Sequence, residues 1–222
     1  MGKDKLRRFE AIKTFDNVFE TAPDVQFENK GRWNENVFKN SGRIIVELGC
    51  GKGEYSVGLG ELYPNNNYVG VDLKGNRIYI GAKQALEKSL KNVAFVRSRI
   101  DFIEDCFEKD EVDEIWLTFS DPQPRKPKKR LSSALFINRY RKFLKPGGYI
   151  HLKTDSDLLY ASTLEEIESN GYRLIDERPD LYASLEEENQ AGQQAIFAIK
   201  THYENLFVQR GHVIKYCCFT VN

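Results

Sequence analysis

Three closely spaced glycines are the first feature of this chain that could support chemistry. Residues 47–53 read Glu-Leu-Gly-Cys-Gly-Lys-Gly, after an apolar run and ahead of a helical pattern. Glycine lets the backbone turn tightly and approach a ligand, and a helix N-terminus offers free N–H groups to an anionic group. Asp72 ends the next apolar run, where its carboxylate could accept hydrogen bonds from ribose hydroxyls. Together these features predict a site for a ligand that carries a ribose and an anionic group.

The spacing of the glycines separates two classes of ligand. Gly49, Gly51 and Gly53 follow a G-x-G-x-G pattern, whereas nicotinamide-dependent enzymes show G-x-G-x-x-G. An acid, Glu47, lies two residues before the first glycine. This pattern resembles that of Rossmann-like methyltransferases that use S-adenosylmethionine (SAM), whose carboxylate tail would rest at the helix N-terminus. The alternative is a bare strand-to-helix turn in which Asp72 caps a helix.

A third acid, Asp101, follows the third apolar run. In a SAM site this position lies near the adenine. Because Asp is also a preferred N-cap residue, Asp101 could equally begin a short helix. Both interpretations stay open at the level of the sequence.

A proline-rich basic segment follows the fourth apolar run. Residues 120–131 read Ser-Asp-Pro-Gln-Pro-Arg-Lys-Pro-Lys-Lys-Arg-Leu, and the prolines exclude a helix and stiffen a loop. Ligands of open α/β sheets bind at the carboxyl ends of the strands, so this loop should border the site. Residues 121–145 carry nine basic residues and one acidic residue, which predicts contact with an RNA backbone rather than a merely solvated surface.

Alternating strand and helix patterns position these residues. Strands are expected at 43–48, 68–72, 93–96, 114–119, 149–153, 172–175 and 213–221. Helices are expected at 54–62, 78–90, 102–107, 133–145, 157–170 and 201–210. The alternation predicts an α/β fold with a single doubly wound, mostly parallel sheet and an antiparallel last strand, as in Rossmann-like class I SAM-dependent methyltransferases. A mobile basic arm is expected at 1–40, followed by one methyltransferase domain at 41–222.

The composition describes a folded chain of balanced charge. The 222 residues include 33 Lys and Arg against 33 Asp and Glu, and 41% are hydrophobic, which excludes disordered and fibrous classes. Zero net charge argues against nucleic-acid binding through overall charge. The charge is uneven, however, because residues 155–188 carry eleven acidic and two basic residues.

The cysteines and the apolar runs indicate the compartment. Cys50, Cys106, Cys217 and Cys218 form no CxxC pair, which predicts reduced thiols rather than a disulfide framework or a zinc site. No metal is expected. The sequence shows neither a signal peptide nor an apolar run long enough to span a bilayer, so we expect a cytoplasmic protein without membrane contact.

Several motifs occur together in the order typical of one family. They are the glycine loop, Gly70-Val-Asp72, Phe119-Ser-Asp121-Pro122 with its basic tail, Lys153-Thr-Asp155 and Thr201-x-x-Glu204. Over about residues 30–220 the chain resembles bacterial tRNA (guanine-N7)-methyltransferases, the TrmB family. It departs from the family at Gln123, where Trp is usual, and in a shorter basic loop.

The resemblance implies transfer of a methyl group from SAM to N7 of guanine at position 46 in the variable loop of tRNA. It implies that Asp121 lies beside SAM and the target base and that Asp155 contacts the guanine, both as catalytic residues. Further SAM contacts are implied for Glu47, Gly49, Gly51, Gly53, Asp72 and Asp101. Substrate contacts are implied for Arg125, Thr201 and Glu204. The concentrated positive charge of the loop itself predicts RNA contacts for Lys126, Lys128, Lys129 and Arg130.

Methylation of guanine N7 requires few catalytic groups. Guanine N7 carries a lone pair in the ring plane, so attack on the methyl group needs alignment and exclusion of water rather than a strong base. The methylated ring becomes cationic, and a nearby carboxylate would stabilise that charge. Asp121 and Asp155 follow the fourth and fifth strands and could both face this space.

Other interpretations remain. Thr201-x-x-Glu204 matches a helix capping box, which the sequence alone favours, although the same residues could also recognise a guanine edge. Thr154 and Asp155 could cap the helix that follows them. The competing functions are a SAM-dependent methyltransferase for another RNA, a protein or a small molecule, and an RNA-binding module without catalysis. Monomer and homodimer are both open.

Overall fold

One eight-stranded sheet organises the computed structural model, which describes residues 3–22, 25–188 and 191–221. The strands are β1 (Val18–Glu20), β2 (Ile44–Leu48), β3 (Asn67–Asp72), β4 (Val93–Arg97), β5 (Val112–Thr118), β6 (Leu144–Thr154), β7 (Arg173–Arg178) and β8 (Lys215–Thr220). Their order across the sheet is β1-β4-β3-β2-β5-β6-β8-β7. β8 runs antiparallel to both of its neighbours, and the other pairs are parallel. The predicted sheet is confirmed.

Helices alternate with these strands. The α-helices are α1 (Lys3–Ala11), α2 (Glu54–Leu62), α3 (Gly75–Glu87), α4 (Ala134–Tyr140), α5 (Asp157–Ser169), α6 (Leu181–Glu188), α7 (Ala191–Ala198) and α8 (His202–Gln209). Short 3-10 helices lie at Ile12–Thr14, Ile100–Asp105 and Pro127–Lys129, and a π-helix lies at Trp33–Phe38.

The sheet buries both of its faces, because successive side chains of a strand point to opposite sides. One apolar cluster contains Val46 and Ile115 together with residues of α4 and α5. The other contains Ile45 and Trp116 together with residues of α2, α3, α6 and α7. Helices therefore cover both faces, as a doubly wound sheet requires.

The first forty residues, expected as a mobile arm, contribute to the fold in their described part. β1 pairs in parallel with β4, and α1 packs against α3. Trp33 is fully buried, where its indole donates a 3.0 Å hydrogen bond to Cys106 O and its ring stacks on Phe107. A three-residue strand and scattered aromatic residues carry no periodic pattern, so the sequence does not indicate this packing.

Two further boundaries differ from expectation. The helix expected to end at the Pro-Gly-Gly segment ends instead at Tyr140, and β6 begins at Leu144, so residues 146–148 lie within that strand. Leu144 pairs with Val112 through a register shift ahead of Glu114, which lets the strand accommodate the irregular segment. α6 and α7 are absent from the expectation because polar residues interrupt their apolar spacing.

Four parallel strands bring the candidate residues to one edge. β2, β3, β5 and β6 end at Leu48, Asp72, Thr118 and Thr154. Because the carboxyl ends of parallel strands meet at the same edge, the glycine loop, the basic loop and the acids after β5 and β6 all begin there.

Candidate functional site

The glycine loop adopts a backbone that only glycine accepts readily. Gly49, Gly51 and Gly53 have φ values of +79°, +57° and +70°. A Cβ on Gly53 would lie 2.4 Å from Phe95 Cε1, so packing also requires glycine there. A Cβ on Gly51 would meet no described atom within 4 Å. The loop is therefore packed at its end and open at its centre, where a ligand can approach the backbone.

Asp72 holds this loop from the end of β3. Its Oδ2 accepts a 3.0 Å hydrogen bond from Gly51 N, and its Oδ1 accepts a 2.7 Å bond from Lys74 N. Lys74 is the N-cap of α3, so the interpretation of Asp72 as a helix cap is wrong. Each carboxylate oxygen keeps a second lone pair, which a ribose hydroxyl could use.

Glu47 lies beneath the loop rather than in it. The side chain is 4% exposed, and its carboxylate accepts hydrogen bonds from the Thr118 hydroxyl and from both Oγ and N of Ser56. Burial raises the pKa of Glu47 to about 7, although these hydrogen bonds oppose the shift. Glu47 therefore links the first turn of α2 to the end of β5, and its protein contacts position the loop.

A cavity of about 730 Å³ lies near the carboxyl end of β3. Leu73 and Phe102 line it, each about half exposed, and they directly follow Asp72 and Asp101. Arg99 and described residues between 21 and 30 also line the cavity. Two exposed apolar side chains in one cavity provide surfaces on which a flat heterocycle can pack.

Asp101 bridges this region to the basic loop. Its Oδ1 lies 2.8 Å from Lys129 Nζ, and its Oδ2 lies 3.5 Å from the Arg99 guanidinium. The hydrogen bond from Lys129 is the main reason that the pKa of Asp101 is lowered. The N-cap of the 3-10 helix is Arg99, so the interpretation of Asp101 as a helix cap is wrong.

Asp121 follows β5 through a strained turn. Phe119 has a φ of +50°, a left-handed value that costs energy for a side-chain-bearing residue, and its N–H donates a 2.9 Å bond to Lys153 O. Asp121 Oδ1 accepts a 2.9 Å hydrogen bond from Gln123 N, and the side chain is exposed. The turn thus directs an accessible carboxylate out of the sheet edge.

Asp155 follows β6 at the neighbouring position. Its Oδ2 lies 3.9 Å from His212 Nδ1, and its side chain is 19% exposed. The N-cap of α5 is Ser156, whose hydroxyl accepts a hydrogen bond from Leu159 N, so the interpretation of Thr154 and Asp155 as the helix cap is wrong. Asp155 therefore has no capping duty that would occupy its carboxylate.

Helix α8 lies between the segments that carry Asp121 and Asp155. The Phe207 ring lies 6.0 Å from the Phe119 ring and 5.7 Å from the His212 ring. At the other side, the Tyr203 hydroxyl accepts a 3.3 Å bond from the Arg77 guanidinium of α3. No motif in the sequence indicated Arg77 as part of the site, because its contact with Tyr203 joins distant segments.

The Thr201-x-x-Glu204 motif forms the predicted capping box. Thr201 Oγ1 accepts a hydrogen bond from Glu204 N, and Glu204 Oε2 accepts one from Thr201 N. Glu204 is fully buried, where its Oε1 lies 2.8 Å from Lys153 Nζ and accepts a hydrogen bond from the Tyr182 hydroxyl. The structure thus confirms the capping box. The surrounding protein encloses the carboxylate of Glu204.

The basic loop presents a smaller cationic surface than the charge count suggests. Arg125, Lys126 and Lys128 are exposed, and their charged side-chain groups have no ion-pair or hydrogen-bond partner among the described residues. Lys129 pairs with Asp101, and the fifth cation of the loop, Arg130, donates a 2.9 Å bond to Pro122 O. Pro127 begins one 3-10 turn, so the expectation that the prolines exclude a helix is wrong at residues 127–129.

Basic residues beyond the loop serve other contacts. Arg141 donates to Val221 O, and Lys142 pairs with Glu104 at 2.7 Å. Lys145 pairs at 2.9 Å with Asp113, near the amino end of β5 and thus at the opposite edge of the sheet. The run at 121–145 is therefore not one continuous cationic surface.

Comparison with known proteins decides the family. A family model described as a putative methyltransferase matches residues 41–217. A tRNA (guanine-N(7)-)-methyltransferase of Bacteroides thetaiotaomicron is 46% identical over 223 residues, which cover 99% of this chain and 86% of that protein. This chain belongs to the tRNA (guanine-N7)-methyltransferase family. The resemblance seen in the motifs is thereby confirmed.

A second relative covers both chains almost completely. The enzyme of the same name from Christiangramia forsetii is 43% identical over 226 residues, 99% of each chain. Among solved structures, the 16S rRNA methyltransferase KamB has a TM-score of 0.64 at 13% identity, covering 93% of this chain and 99% of its own. That likeness shows the class I methyltransferase fold, which this member of the family shares.

Neither a metal centre nor a membrane span is found in the described part of this family member. No group of three or more His, Cys, Asp or Glu side chains there could hold a metal ion. No helix among residues 3–22, 25–188 and 191–221 is both long and apolar enough to cross a bilayer.

Proposed function

We propose that this member of the family transfers the methyl group of SAM to N7 of the guanine at position 46 in the variable loop of tRNA. The observation that supports methylation of guanine N7 in tRNA is the 46% identity over nearly the whole chain to a protein named as a tRNA (guanine-N7)-methyltransferase. The position in the variable loop is proposed from the resemblance of the motifs to the family. SAM is the methyl donor for this family. We place the enzyme in the cytoplasm, with tRNA as its partner and no membrane contact.

The glycine loop fits the amino-acid end of SAM. Open space at Gly51 and the N-terminus of α2, where Glu47 takes up only Ser56 N, suit an anionic carboxylate. Asp72 has free lone pairs for the ribose, and Glu47, Gly49 and Gly53 maintain the loop around the ligand. These contacts would bind the cofactor without using a metal.

The adenine end of SAM would lie toward the cavity. Leu73 and Phe102 present exposed apolar surface there, and Asp101 lies beside them. The Asp101 carboxylate could accept a hydrogen bond from the adenine amino group through a lone pair that its contacts with Lys129 and Arg99 leave free. Asp101 would then contact both the cofactor and the basic loop.

Asp121 and Asp155 would act on the target base. The guanine N7 lone pair attacks the methyl group directly, so these residues need only orient the ring and stabilise its developing positive charge. Asp121 is exposed after β5, and Asp155 is partly exposed after the adjacent β6. α8 lies across the same edge, where it would exclude water from the reacting atoms.

The exposed cations of the basic loop would bind the phosphate backbone. The charged groups of Arg125, Lys126 and Lys128 have no partner among the described residues and are available to RNA. Lys129 and Arg130 would hold the loop in place and add to the local positive potential. The target guanine of a structured tRNA must leave its stack to reach a pocket at the sheet edge.

Position mapping tests the finer part of the proposal. A tRNA transcript is incubated with the enzyme and SAM and then treated with borohydride and aniline, which cleaves RNA at 7-methylguanosine. We expect one enzyme-dependent cleavage, in the variable loop, and none when that guanine is replaced by adenine. Cleavage elsewhere in the tRNA would contradict the proposed position while leaving the reaction type intact.

A SAM-dependent enzyme acting on a protein or small molecule is the competing assignment. The free cations of the basic loop argue against this competing assignment, because a small substrate offers them no phosphate backbone to bind. If a protein substrate were used, polyanion competitors such as bulk tRNA would not compete for the active site.

A further inference from the structure

His212 has a defined position at the C-terminal end of α8, close to one of the two proposed catalytic acids. The helix ends in a Schellman motif, in which Gly211 N donates to Val208 O at 3.0 Å. The next N–H, that of His212, donates to Phe207 O at the same distance. Gly211 has a φ of +80°, the left-handed value that the motif requires directly after the C-cap. The end of the helix, rather than a free loop, therefore sets the backbone of His212.

Lys215 connects the segment after His212 to the segment that carries Asp155. Its Nζ donates a 3.4 Å hydrogen bond to Asp155 O and lies 2.7 Å from Asp157 Oδ1. β8 begins at Lys215, which pairs with Thr154 at the end of β6. The turn that carries His212 is thus fixed by the helix on one side and by the sheet on the other.

The imidazole of His212 lies near both Asp155 and Phe207. Its Nδ1 lies 3.9 Å from Asp155 Oδ2, and its ring centre lies 5.7 Å from the centre of the Phe207 ring. No residue in the described part of the chain donates a hydrogen bond to the Asp155 carboxylate, and His212 is the only one there with a side-chain nitrogen within ion-pair distance of it. The distance is longer than a hydrogen bond, but polar contacts of active sites often shorten when substrate binds.

The two proposed catalytic acids differ in how they are held. Asp121 accepts a 2.9 Å hydrogen bond from Gln123 N, which restricts its carboxylate. Asp155 has no such backbone donor among the described residues, although its side chain is only 19% exposed. A carboxylate stabilises a developing cation best when its orientation is fixed in advance. A donor from the neighbouring turn would give Asp155 what Gln123 N gives Asp121.

We propose that His212 is a positioning residue that acts through Asp155, with its Nδ1–H donating to Asp155 Oδ2 so that Oδ1 is turned toward the guanine. The imidazole moves no proton to or from the base, because N7 attacks through its own lone pair. Both the Nδ1–H tautomer and the imidazolium carry the required donor. This inference rests on the proposed function for its activity measurements.

Two substitutions separate the donor from the ring. His212→Asn keeps an N–H donor near the position of Nδ1 and removes the ring, whereas His212→Phe keeps a ring and removes the donor. We expect His212→Phe to lower kcat by about 10- to 30-fold and His212→Asn by no more than about 3-fold. The KM for tRNA should change little in both, because the lost interaction acts in the transition state. A kcat for His212→Phe equal to or above that for His212→Asn would overturn the proposal.

Removal of Asp155 tests whether His212 acts through this carboxylate. In the Asp155→Ala background, the further change His212→Phe should lower kcat by less than about 2-fold, because no carboxylate is left to orient. Losses that multiply to the full effect of both single variants would show that His212 acts independently of Asp155, which overturns the proposal.

A matched control and a structural readout exclude a general effect on the helix. Val213→Thr changes the neighbouring side chain, which is 43% exposed, and should keep the parent kcat. In His212→Phe, the amides of residues 202–209 should exchange with solvent at the parent rate. Faster exchange in His212→Phe, or a loss of kcat in Val213→Thr equal to that in His212→Phe, would assign the effect to the turn and overturn the role of the imidazole.

The tautomer of His212 gives a readout that does not depend on activity. Long-range proton–nitrogen NMR spectra at alkaline pH show which imidazole nitrogen carries the proton, and His212→Asn assigns the signal. We expect Nδ1–H in the parent protein and a larger share of Nε2–H in Asp155→Ala. Nε2–H in the parent protein would overturn the inference, whether or not the protein methylates tRNA. Absence of 7-methylguanosine with the parent protein would count instead against the proposed function.

Discussion

Asp72 Oδ2 lies 3.0 Å from Gly51 N, and this hydrogen bond ties the end of β3 to the open centre of the glycine loop. The other oxygen binds Lys74 N, so one carboxylate fixes two backbone segments around the place proposed for the ribose of SAM. The loop therefore has its shape before the cofactor binds, so binding does not include a free-energy cost for ordering the loop.

Removal of this carboxylate should weaken SAM binding. Asp72→Ala loses both the loop anchor and the proposed ribose acceptor, so we expect the Kd for SAM to rise by about 10- to 100-fold. Isothermal titration calorimetry measures the change. Glu87→Ala, at the exposed end of α3, is the matched control and should bind SAM as the parent protein does. Equal affinity of Asp72→Ala and the parent would show that Asp72 does not support the cofactor.

Glu47 should make stability fall as the pH rises. Its pKa is raised from 4.5 to about 7 by burial, so the folded state binds this proton more tightly than the unfolded state. The free energy of unfolding should then decrease between about pH 4.5 and about pH 7, by at most ~3 kcal/mol, and the contribution should be constant above that range.

Glu47→Gln provides the comparison for this pH dependence. The amide oxygen can accept from Ser56, and the amide nitrogen can donate to the Thr118 hydroxyl, so the hydrogen bonds survive without a titrating group. Urea unfolding at about pH 5 and about pH 8 should show the variant gaining stability relative to the parent as the pH rises. A parallel response of the two proteins would contradict a raised pKa at Glu47.

The two acids at the sheet edge should affect turnover. Asp121→Asn and Asp155→Asn keep the side-chain shape but remove negative charge, so each should lower kcat by about 100- to 1000-fold. Steady-state rates with tRNA and SAM measure this, and calorimetry with SAM checks that the cofactor still binds. Asp157→Asn, an exposed acid at the start of α5, serves as the control. Neither acid stabilises the methylated base if both variants turn over at the control rate.

The unpartnered cations of the basic loop should determine the affinity for tRNA. A variant with Arg125→Gln, Lys126→Gln and Lys128→Gln should raise the KM for tRNA and reduce the dependence of log K on log salt concentration by about 2 to 3. SAM affinity should not change. The matched control, Lys142→Gln with Lys145→Gln, removes cations that pair with Glu104 and Asp113. A salt dependence identical in both variants would exclude the loop as the RNA contact.

Much of the fold could be predicted because its central strands are continuous apolar runs bounded by glycine or polar residues. Residues 43–48 and 68–72 correspond closely to β2 and β3. The sequence could not indicate β1, whose three residues pair only because β4 offers a free edge. The end of α4 was also misplaced, since the register between β5 and β6 sets it rather than a local signal.

The candidate site shows the same division between local and distant effects. Glycine spacing indicated the loop because a positive φ is a local requirement. The burial of Glu204 against Lys153 joins residues 51 positions apart, and nothing local to either residue specifies it. Charge counting likewise located a basic run, but only the tertiary pairing of Lys142 and Lys145 shows which cations are already in use.

The identity of the methylated nucleoside is the most direct test of the account. Unmodified tRNA is incubated with the protein and methyl-labelled SAM, digested to nucleosides and separated by mass-resolved chromatography. The account predicts that the label is found in 7-methylguanosine, with Asp155→Asn as the low-activity control. Label in a different nucleoside or in protein, with none in 7-methylguanosine, would contradict it.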